Sequence, residues 1–367
     1  MKFCNYLYLF FLFIVSINAQ EQQFEIAEGV KNVHVLFNAE NNKNISCYRI
    51  PAMVTAPNGE VIVAIDERVP SCGDLKWSDD INIVIRRSSD NGKTWTPIER
   101  VIDFPIGKSA SDPSMIVDYV TGEIFMFYNY MDLQNEKDVY YLHAIKSIDN
   151  GRTWSKPKDT TTQIAKPEWN NDFKFITSGR GIQTSTGKLL HCMVNLDNGM
   201  HVFGSDDHGK NWKLYDVPIK PANESKIVEL HDGRWMINSR ANNKGVRYVH
   251  ISNDEGKTWE TRADKTLIDP SCNASIIQYD FKKKKKGTPL IFSNANSGEK
   301  RENMTVRISF DNGKTWSSGR TIYKGGSAYS TLTVLNNGDI GLCFEKDDYK
   351  ENVFISFSFD WLLSEED

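Results

Sequence analysis

Three arginines lie beside or within stretches that otherwise read as apolar β-strands. Arg49 precedes Ile-Pro, Arg240 follows the run 235–239, and Arg307 lies in the alternating stretch 302–310. One arginine on a strand is usually a surface or salt-bridged residue. Three that converge would form a rigid clamp, because the planar guanidinium binds a carboxylate through two parallel hydrogen bonds. The sequence therefore predicts a site for a carboxylate-bearing ligand, if the fold brings the three together.

A repeated eight-residue motif indicates what kind of fold could do so. The motif is Ser-x-Asp-x-Gly-x-Thr-Trp, with Asn211 replacing Thr in the third copy. Its copies are spaced 47 to 59 residues apart and begin at Ser88, Ser147, Ser205, Ser252 and Ser309. The Asp can accept backbone N–H bonds within a turn, the Gly supplies a positive φ, and the Trp needs a neighbour against which to bury its ring. We interpret the motif as a structural hairpin staple, with the Trp between adjacent units, and not as a catalytic element.

The rest of the chain is typical of an all-β protein, because short alternating segments are separated by Asn-Gly, Asp-Gly and Thr-Gly turns. A strand opens at 47–51, and further strands are predicted at 60–66, 81–86, 123–130, 139–146, 188–195, 200–204, 234–239, 246–252, 288–293, 304–310, 339–344 and 353–359. The repeat length leaves room for about six units of blade size. We predict a six-bladed β-propeller over residues 20–367, whose final strand, around 357–362, pairs with N-terminal strands. An open solenoid or stacked sandwiches are the alternatives.

Residues 1–19 have the features of a secretory signal peptide: Lys2, an apolar run at 7–15, and Ala19 at the expected cleavage point. We therefore expect a secreted protein, extracellular or periplasmic, without a transmembrane segment. Loss of Lys2 changes the net charge from −4 to −5, which disfavours nucleic acid as a partner. The five remaining cysteines indicate mostly buried thiols and leave room for one disulfide bond. The seven scattered histidines and the lack of a phosphate-binding loop predict no metal and no cofactor.

The element Tyr48-Arg49-Ile50-Pro51, together with the repeated motif, resembles the exo-α-sialidases (neuraminidases) of the bacterial and animal type over nearly the whole mature chain. The resemblance implies that Arg49, Arg240 and Arg307 bind the carboxylate of sialic acid. The other positions that match the family's site are Glu345, which would orient the first arginine; Tyr329, the nucleophile; Glu224, which would activate it; Asp74, the acid/base; and Arg68 and Asp112, which would line the O4 and N-acyl side of the sugar.

The chemistry explains these residue types. Most retaining glycosidases use a carboxylate nucleophile, which the carboxylate on the anomeric carbon of sialic acid would repel. A neutral tyrosine avoids this repulsion, but a phenol with a pKa of about 10 needs a base such as Glu224 to take its proton. We expect the arginines to favour ionised Tyr329, and the acid/base to have a raised pKa in a partly dry site. Asp79 and Asp80 share the loop of Asp74, which we favour because its position six residues after Arg68 fits the family pattern better.

The sequence thus predicts a secreted, monomeric exo-α-sialidase that acts on sialylated glycans with retention, through a covalent sialyl-tyrosine intermediate. One alternative is a trans-sialidase, in which Trp77 or Trp169 would form an acceptor platform. The other is a sialic-acid-binding lectin on the same scaffold, which would have lost the tyrosine or the acid.

Overall fold

The computed structural model describes residues 25–280 and 288–364, so the predicted signal peptide, residues 1–19, lies outside the described residues. Within them the fold is all-β, as predicted. In chain order the strands are β1 (Lys31–Asn38), β2 (Cys47–Thr55), β3 (Val61–Arg68), β4 (Ile81–Ser88), β5 (Glu99–Ile102), β6 (Lys108–Val117), β7 (Ile124–Asp132), β8 (Tyr141–Ser147), β9 (Lys158–Asp159), β10 (Lys174–Ile176), β11 (Gly179–Arg180), β12 (Ile182–Gln183), β13 (Leu189–Asn195), β14 (Gly199–Ser205), β15 (Lys213–Ile219), β16 (Ser225–Glu229), β17 (Trp235–Ser239), β18 (Val246–Ser252), β19 (Glu260–Ile268), β20 (Ser275–Gln278), β21 (Leu290–Ala295), β22 (Glu302–Ser309), β23 (Arg320–Val334), β24 (Ile340–Lys346) and β25 (Glu351–Phe357). The helices are α1 (Thr161–Ile164) and α2 (Phe359–Leu363), and the 3-10 segments are Ala39–Asn41, Leu75–Trp77 and Pro167–Trp169.

The strands form five sheets in a propeller-like arrangement. Two sheets are four-stranded, in the orders β2-β3-β4-β5 and β16-β17-β18-β19. In a third, β11 joins the order β6-β7-β8-β9 through a parallel pairing with β6, and in a fourth β10 and β12 both pair with β13, which is followed by β14 and β15. The fifth sheet has seven strands, in the order β1-β25-β24-β23-β22-β21-β20. Most neighbours in sequence are also neighbours in a sheet, as short hairpin connections require.

The two ends of the described chain meet in the seven-stranded sheet. The first strand, β1, pairs with β25 in an antiparallel ladder from Lys31↔Ser356 to Asn38↔Glu351. A C-terminal strand thus pairs with the N-terminal part of the chain, as predicted, but this strand is Glu351–Phe357 and not 357–362, most of which is helical. The predicted strand at 353–359 ends early, however, because Ser358 caps α2 by accepting a hydrogen bond from the backbone N–H of Trp361.

The repeated motif is structural, as predicted. In the first copy the Asp90 carboxylate accepts hydrogen bonds from the backbone N–H and the hydroxyl of Thr94, at 2.9 and 2.7 Å, while Ser88 Oγ accepts the Gly92 N–H at 2.8 Å. Gly92 has φ +84°, and a Cβ there would collide with the ring of Phe354. Trp95 packs edge-on against that same ring, at 4.9 Å between centroids. The motif therefore holds a turn and fixes one sheet against the next.

Five strands, here called the inner strands, contact one another although most belong to different sheets: β2, β6, β16, β20 and β23. Strand β2 contacts β6 and β23, and β20 contacts β16 and β23. Polar side chains on and beside these inner strands are therefore brought together from distant parts of the chain. Among the described residues, no helix is both long enough and apolar enough to cross a membrane.

Candidate active site

A cleft of about 280 Å³ is lined by residues of several inner strands and of the loops that adjoin them. Strands β2, β6 and β23 contribute Ile50, Asp112 and Tyr329, and Glu224 immediately precedes β16. The remaining lining residues are Asp74, Leu75, Lys76, Trp77, Asn129, Tyr140, Phe173, Phe175, Leu196, Asn223, Arg240 and Asn242. One side of the cleft is therefore charged and the other is largely aromatic and apolar.

Three guanidinium groups surround the side chain of Tyr329. Arg240 Nη1 donates to the Tyr329 hydroxyl at 3.2 Å. The Cζ atoms of Arg49 and Arg301 lie 5.6 and 5.5 Å from the centre of the Tyr329 ring. These three cations converge from β2, from the end of β17 and from the start of β22. They form the clamp that the sequence predicted, but with a different third member.

The structure does not bring Arg307 into this cluster. Arg307 lies within β22, 6% exposed, opposite Phe292 of the neighbouring strand. Its Nη1 is buried without a hydrogen-bond partner in the described part of the chain, and burial lowers its pKa, which the charge of Asp264 offsets only in part. Assigning Arg307 to the clamp was therefore wrong. Arg301, six residues earlier, lies at the strand end beside Tyr329.

Tyr329 and Glu224 form a hydrogen-bonded pair. The phenol donates to Glu224 Oε2 at 2.8 Å, and Arg240 Nη1 forms an ion pair with the same oxygen. Both side chains are buried. Burial and the negative charge of Glu224 raise the pKa of Tyr329 well above its usual value, and Arg240 and Arg301 offset this only in part. Arg240 and Arg301 do favour the ionised phenol, as expected, but burial and Glu224 outweigh them, so Tyr329 is neutral until Glu224 accepts its proton.

Glu345 holds the start of the clamp in place. Its fully buried carboxylate accepts hydrogen bonds from Arg49 Nε at 3.1 Å and from the backbone N–H groups of Ile50 and Tyr329, at 2.8 and 3.1 Å. Arg49 also lies over the ring of Tyr349, with its Cζ 3.8 Å from the ring centre. A buried ion pair with these additional bonds is fully satisfied, so the position of Arg49 is set before any ligand arrives.

Asp74 lies in the loop after β3, at the rim of the cleft. Arg68 Nη1 donates to Asp74 Oδ1 at 2.8 Å and to the carbonyls of Cys72 and Gly73 at 3.0 and 3.1 Å. A disulfide joins Cys72 to Cys47 at the start of β2, with the two Cα atoms 5.7 Å apart. The loop is therefore attached on both sides, although the side chain of Asp74 is 70% exposed.

The charge balance around Asp74 differs from the expectation. Desolvation acts to raise the pKa of Asp74, but the positive charge and hydrogen bond of Arg68, together with Arg49, outweigh it and lower this pKa. The structure therefore does not show the raised pKa expected of the acid/base residue. Neither Asp79 nor Asp80 lines the cleft; Asp80 instead accepts a hydrogen bond from Asn82 at 3.2 Å, at the start of β4.

Asp112 adopts an unusual backbone conformation inside the cleft, with φ +63°. Its backbone N–H donates to Asp66 Oδ1 at 2.9 Å, and its own carboxylate accepts a hydrogen bond from Asn129 at 2.9 Å. Asp66 is fully buried and forms an ion pair with Arg68 at 2.9 Å. Burial and the charge of Asp66 raise the pKa of Asp112 well above its usual value, with Arg68 opposing. Asp112 and Arg68 thus belong to one network, in which Arg68 positions Asp74.

Sequence reasoning missed several residues of this site, namely Arg301, Tyr349, Asp66 and Asn129. Arg301 donates to the Tyr349 hydroxyl at 3.1 Å and to the Ser271 carbonyl at 3.2 Å. One signal could have found it. Glu224 and Arg240 both flank strands, and Arg301 has the same relation to β22, whereas Arg307 lies in the strand interior.

In the described part of the chain, no group of three or more His, Cys, Asp or Glu side chains could hold a metal ion.

Comparisons with known proteins agree with this geometry. Residues 73–342 match the model of the BNR repeat-like domain family. The chain is 35% identical over 327 residues to a sialidase of Micromonospora viridifaciens, covering 81% of this chain and 50% of the relative. It is 31% identical over 362 residues to a sialidase of Bacteroides fragilis (strain YCH46), covering 90% and 64%. The chain thus spans about half to two thirds of the length of these relatives.

A similar solved structure is that of the Hadza microbial sialidase Hz136, with a TM-score of 0.79 and 27% identity, covering 90% of this chain and 68% of that one. The intramolecular trans-sialidase of Ruminococcus gnavus has a TM-score of 0.77 at 21% identity, covering 93% and 100%, which shows a shared fold. The chain therefore belongs to the sialidase family, and its repeats are those of a BNR repeat-like domain.

Proposed function

We propose that this protein is an exo-α-sialidase, which hydrolyses terminal α-linked sialic acid from glycans with retention of configuration. The observation that carries the proposal is the hydrogen bond of 2.8 Å from Tyr329 to Glu224 within a ring of three arginines. Cations arranged around a neutral nucleophile suit a sugar that carries a carboxylate on its reacting carbon. The family relationship supports the same conclusion.

In the first step Arg49, Arg240 and Arg301 bind the substrate carboxylate. Tyr329 Oη attacks the anomeric carbon while Glu224 takes the phenolic proton and Asp74 gives a proton to the departing glycosidic oxygen. The bond from the anomeric carbon to the aglycone breaks as the bond to Tyr329 forms. In the second step Asp74 takes a proton from water, whose oxygen displaces Tyr329, and Glu224 returns the proton to the phenol. Two inversions give net retention.

Substrate binding itself would raise the pKa of Asp74. The substrate carboxylate neutralises part of the arginine charge, and the sugar excludes water from the rim, so both effects raise the pKa of Asp74 in the complex. In the free protein Arg68 favours the ionised form. We therefore expect the highest kcat/KM at acidic pH.

The first experiment compares turnover of a fluorogenic α-sialoside by the wild-type protein, Tyr329→Phe and the matched control Tyr128→Phe. The hydroxyl of Tyr128 is buried without a hydrogen-bond partner in the described residues, so its removal leaves the site intact. We expect Tyr329→Phe to lose at least about a thousandfold in kcat, and Tyr128→Phe to change less than about twofold. Full activity in Tyr329→Phe would eliminate this nucleophile. A wild-type protein that binds sialyllactose without turning it over would be a lectin.

A trans-sialidase is the second candidate, because of one exposed aromatic residue. Trp77 is 67% exposed and lines the cleft three residues after Asp74, where an acceptor sugar could stack on its ring. Trp169, the other residue considered, is only 4% exposed and packs in the core, so it is unsuitable as a platform. With lactose as acceptor, Trp77→Ala should lower transfer more than hydrolysis if transfer occurs; an unchanged ratio would count against this candidate.

The six-bladed architecture is also a proposal. The fifteen-residue strand β23 pairs with β22 through residues up to Gly326 and with β24 from Ser327 onward. This division supports reading the seven-stranded sheet as two four-stranded blades that share β23, which gives six blades with the other four sheets. An experimental structure with a different number of blades around the axis would contradict this count.

Secretion and the monomeric state rest on the sequence alone. We propose cleavage after Ala19 and export, extracellular or periplasmic. The protein recovered after secretion should begin at Gln20 and run as a monomer in size-exclusion chromatography coupled to light scattering. An intact N-terminus on the active protein, or a dimer, would contradict the respective proposal.

A further inference from the structure

A second cavity, of about 380 Å³, lies where the inner strands end. It is lined by Thr55 at the end of β2 and by Thr333 at the end of β23, whereas Arg49 and Tyr329 of the same strands are at the candidate active site. The six residues from Arg49 to Thr55 span roughly 20 Å of extended strand. The second cavity is thus a separate site at the opposite end of the inner strands, and its volume is in the range of small-molecule sites.

Arg180 is the one cationic side chain among the described residues that line this cavity. Its Nη1 donates to the Leu332 carbonyl at 3.3 Å, while its Nε is buried and has no hydrogen-bond partner in the described residues. No carboxylate in the described residues lies within ion-pair distance of it. A buried donor on a charged group that lacks an acceptor is costly, so this guanidinium has unused capacity for a carboxylate.

The rest of the lining indicates the kind of anion. Tyr119 is 57% exposed and offers a ring, and its hydroxyl donates to the Thr55 carbonyl at 3.2 Å. Two acids also line the cavity: Glu229, which is held by the backbone N–H and hydroxyl of Ser185, and Asp280, which is exposed. These two negative charges would repel a phosphate dianion more strongly than a single carboxylate. The other polar lining groups are neutral: Thr55, Gln183, Gln278, Thr333 and Asn336.

We propose that this cavity binds a small monocarboxylate with hydroxyl groups, of the size of a uronic acid, through its carboxylate on Arg180. Neutral threonine and amide side chains hydrogen-bond the hydroxyls, and the ring of Tyr119 packs against an apolar face of the sugar. This proposal is independent of the sialidase activity, because no residue of the candidate active site lines the cavity.

The test is a titration with D-glucuronate, followed by saturation-transfer NMR and calorimetry, with methyl glucoside and inorganic phosphate as comparison ligands. The variants are Arg180→Gln, Asp280→Asn and, to exclude binding by the active-site clamp, Arg49→Gln. We expect glucuronate to bind the wild-type protein and Arg49→Gln alike, and Arg180→Gln at least about tenfold more weakly. Asp280→Asn removes an exposed negative charge from the lining, so it should bind several-fold more tightly.

Each other outcome would overturn the proposal. No binding to the wild-type protein, or equal binding to folded Arg180→Gln, would leave the cavity without this role. Loss of binding in Arg49→Gln would assign the ligand to the active site. If Arg180→Gln fails to fold, Asp280→Asn still decides, because unchanged or weaker binding there contradicts a carboxylate in this cavity. Tighter binding of phosphate than of glucuronate would replace the proposed ligand class by a phosphate.

Discussion

Substituting Arg301 and Arg307 separately tests which of them belongs to the arginine clamp. Arg301 lies 5.5 Å from the Tyr329 ring centre, and its guanidinium is held by the Tyr349 hydroxyl and the Ser271 carbonyl. Arg307 is buried in the interior of β22, opposite Phe292. We expect Arg301→Gln to impair catalysis and Arg307→Gln to leave it nearly unchanged, although both remove one positive charge from the same strand region.

The size of the effect follows from the bond that is lost. A hydrogen bond between charged groups contributes about 1.5–3 kcal/mol, and each 1.36 kcal/mol is a factor of ten in rate. Arg301→Gln should therefore lower kcat/KM on a fluorogenic α-sialoside by about ten- to 150-fold. Arg301→Lys should fall between the wild type and Arg301→Gln, because it keeps the charge but loses the two-pronged geometry. Arg307→Gln should remain within about twofold.

Thermal unfolding of all three variants supplies the control for folding. If folded Arg307→Gln lost more than tenfold in kcat/KM while Arg301→Gln retained full activity, the assignment of the clamp from the strand ends would be refuted.

Three further predictions concern the loop of Asp74 and the repeated motif. Arg68→Gln removes the cation that lowers the pKa of Asp74, so the fall of kcat/KM on the alkaline side should move to higher pH. An unchanged pH profile would mean that Arg68 does not control the pKa of the acid/base residue. Cys72→Ser opens the disulfide that spans 25 residues and should lower the free energy of unfolding by about 3 kcal/mol in a urea titration, whereas equal stability would contradict the chain-entropy argument. Hydrogen bonds from Thr153 lower the pKa of Asp149 to about 2, so the stability that Asp149 contributes is present above the usual Asp pKa and is lost as the pH falls through about 2. Asp149→Asn should lower the free energy of unfolding by about 1 kcal/mol at pH 7 and should lose less stability in acid than the wild type. A curve of stability against pH that runs parallel to that of the wild type would contradict this prediction.

Much of the scaffold followed from the sequence because its signals are local. The repeated motif forms its hydrogen bonds within eight residues, as between Asp90 and Thr94. Strands β3, β4 and β7 were predicted to within a few residues, because each begins with a run of mostly apolar residues that is buried on both faces.

The inner strands were harder to predict, and they carry the site. Strands β6, β16 and β23 were absent from the predicted set. Their sequences contain buried polar residues such as Ser111 and Ser330. The reason is that these strands pack against one another and not against a uniformly apolar layer. Register shifts between Ser111 and Ser114 and between Ser327 and Ser330 further interrupt the alternation. The period-two pattern is therefore weakest where the site residues lie.

The types of residue in the site were readable from the sequence, and most of their positions were too. The sequence determined that arginines, a tyrosine, a glutamate and an aspartate were available beside predicted strands. Only the tertiary structure decided between Arg301 and Arg307, because the choice depends on which end of β22 lies beside Tyr329. It also decided the protonation of Tyr329 and Asp74, since a pKa depends on burial and on charges that are distant in sequence but close in space.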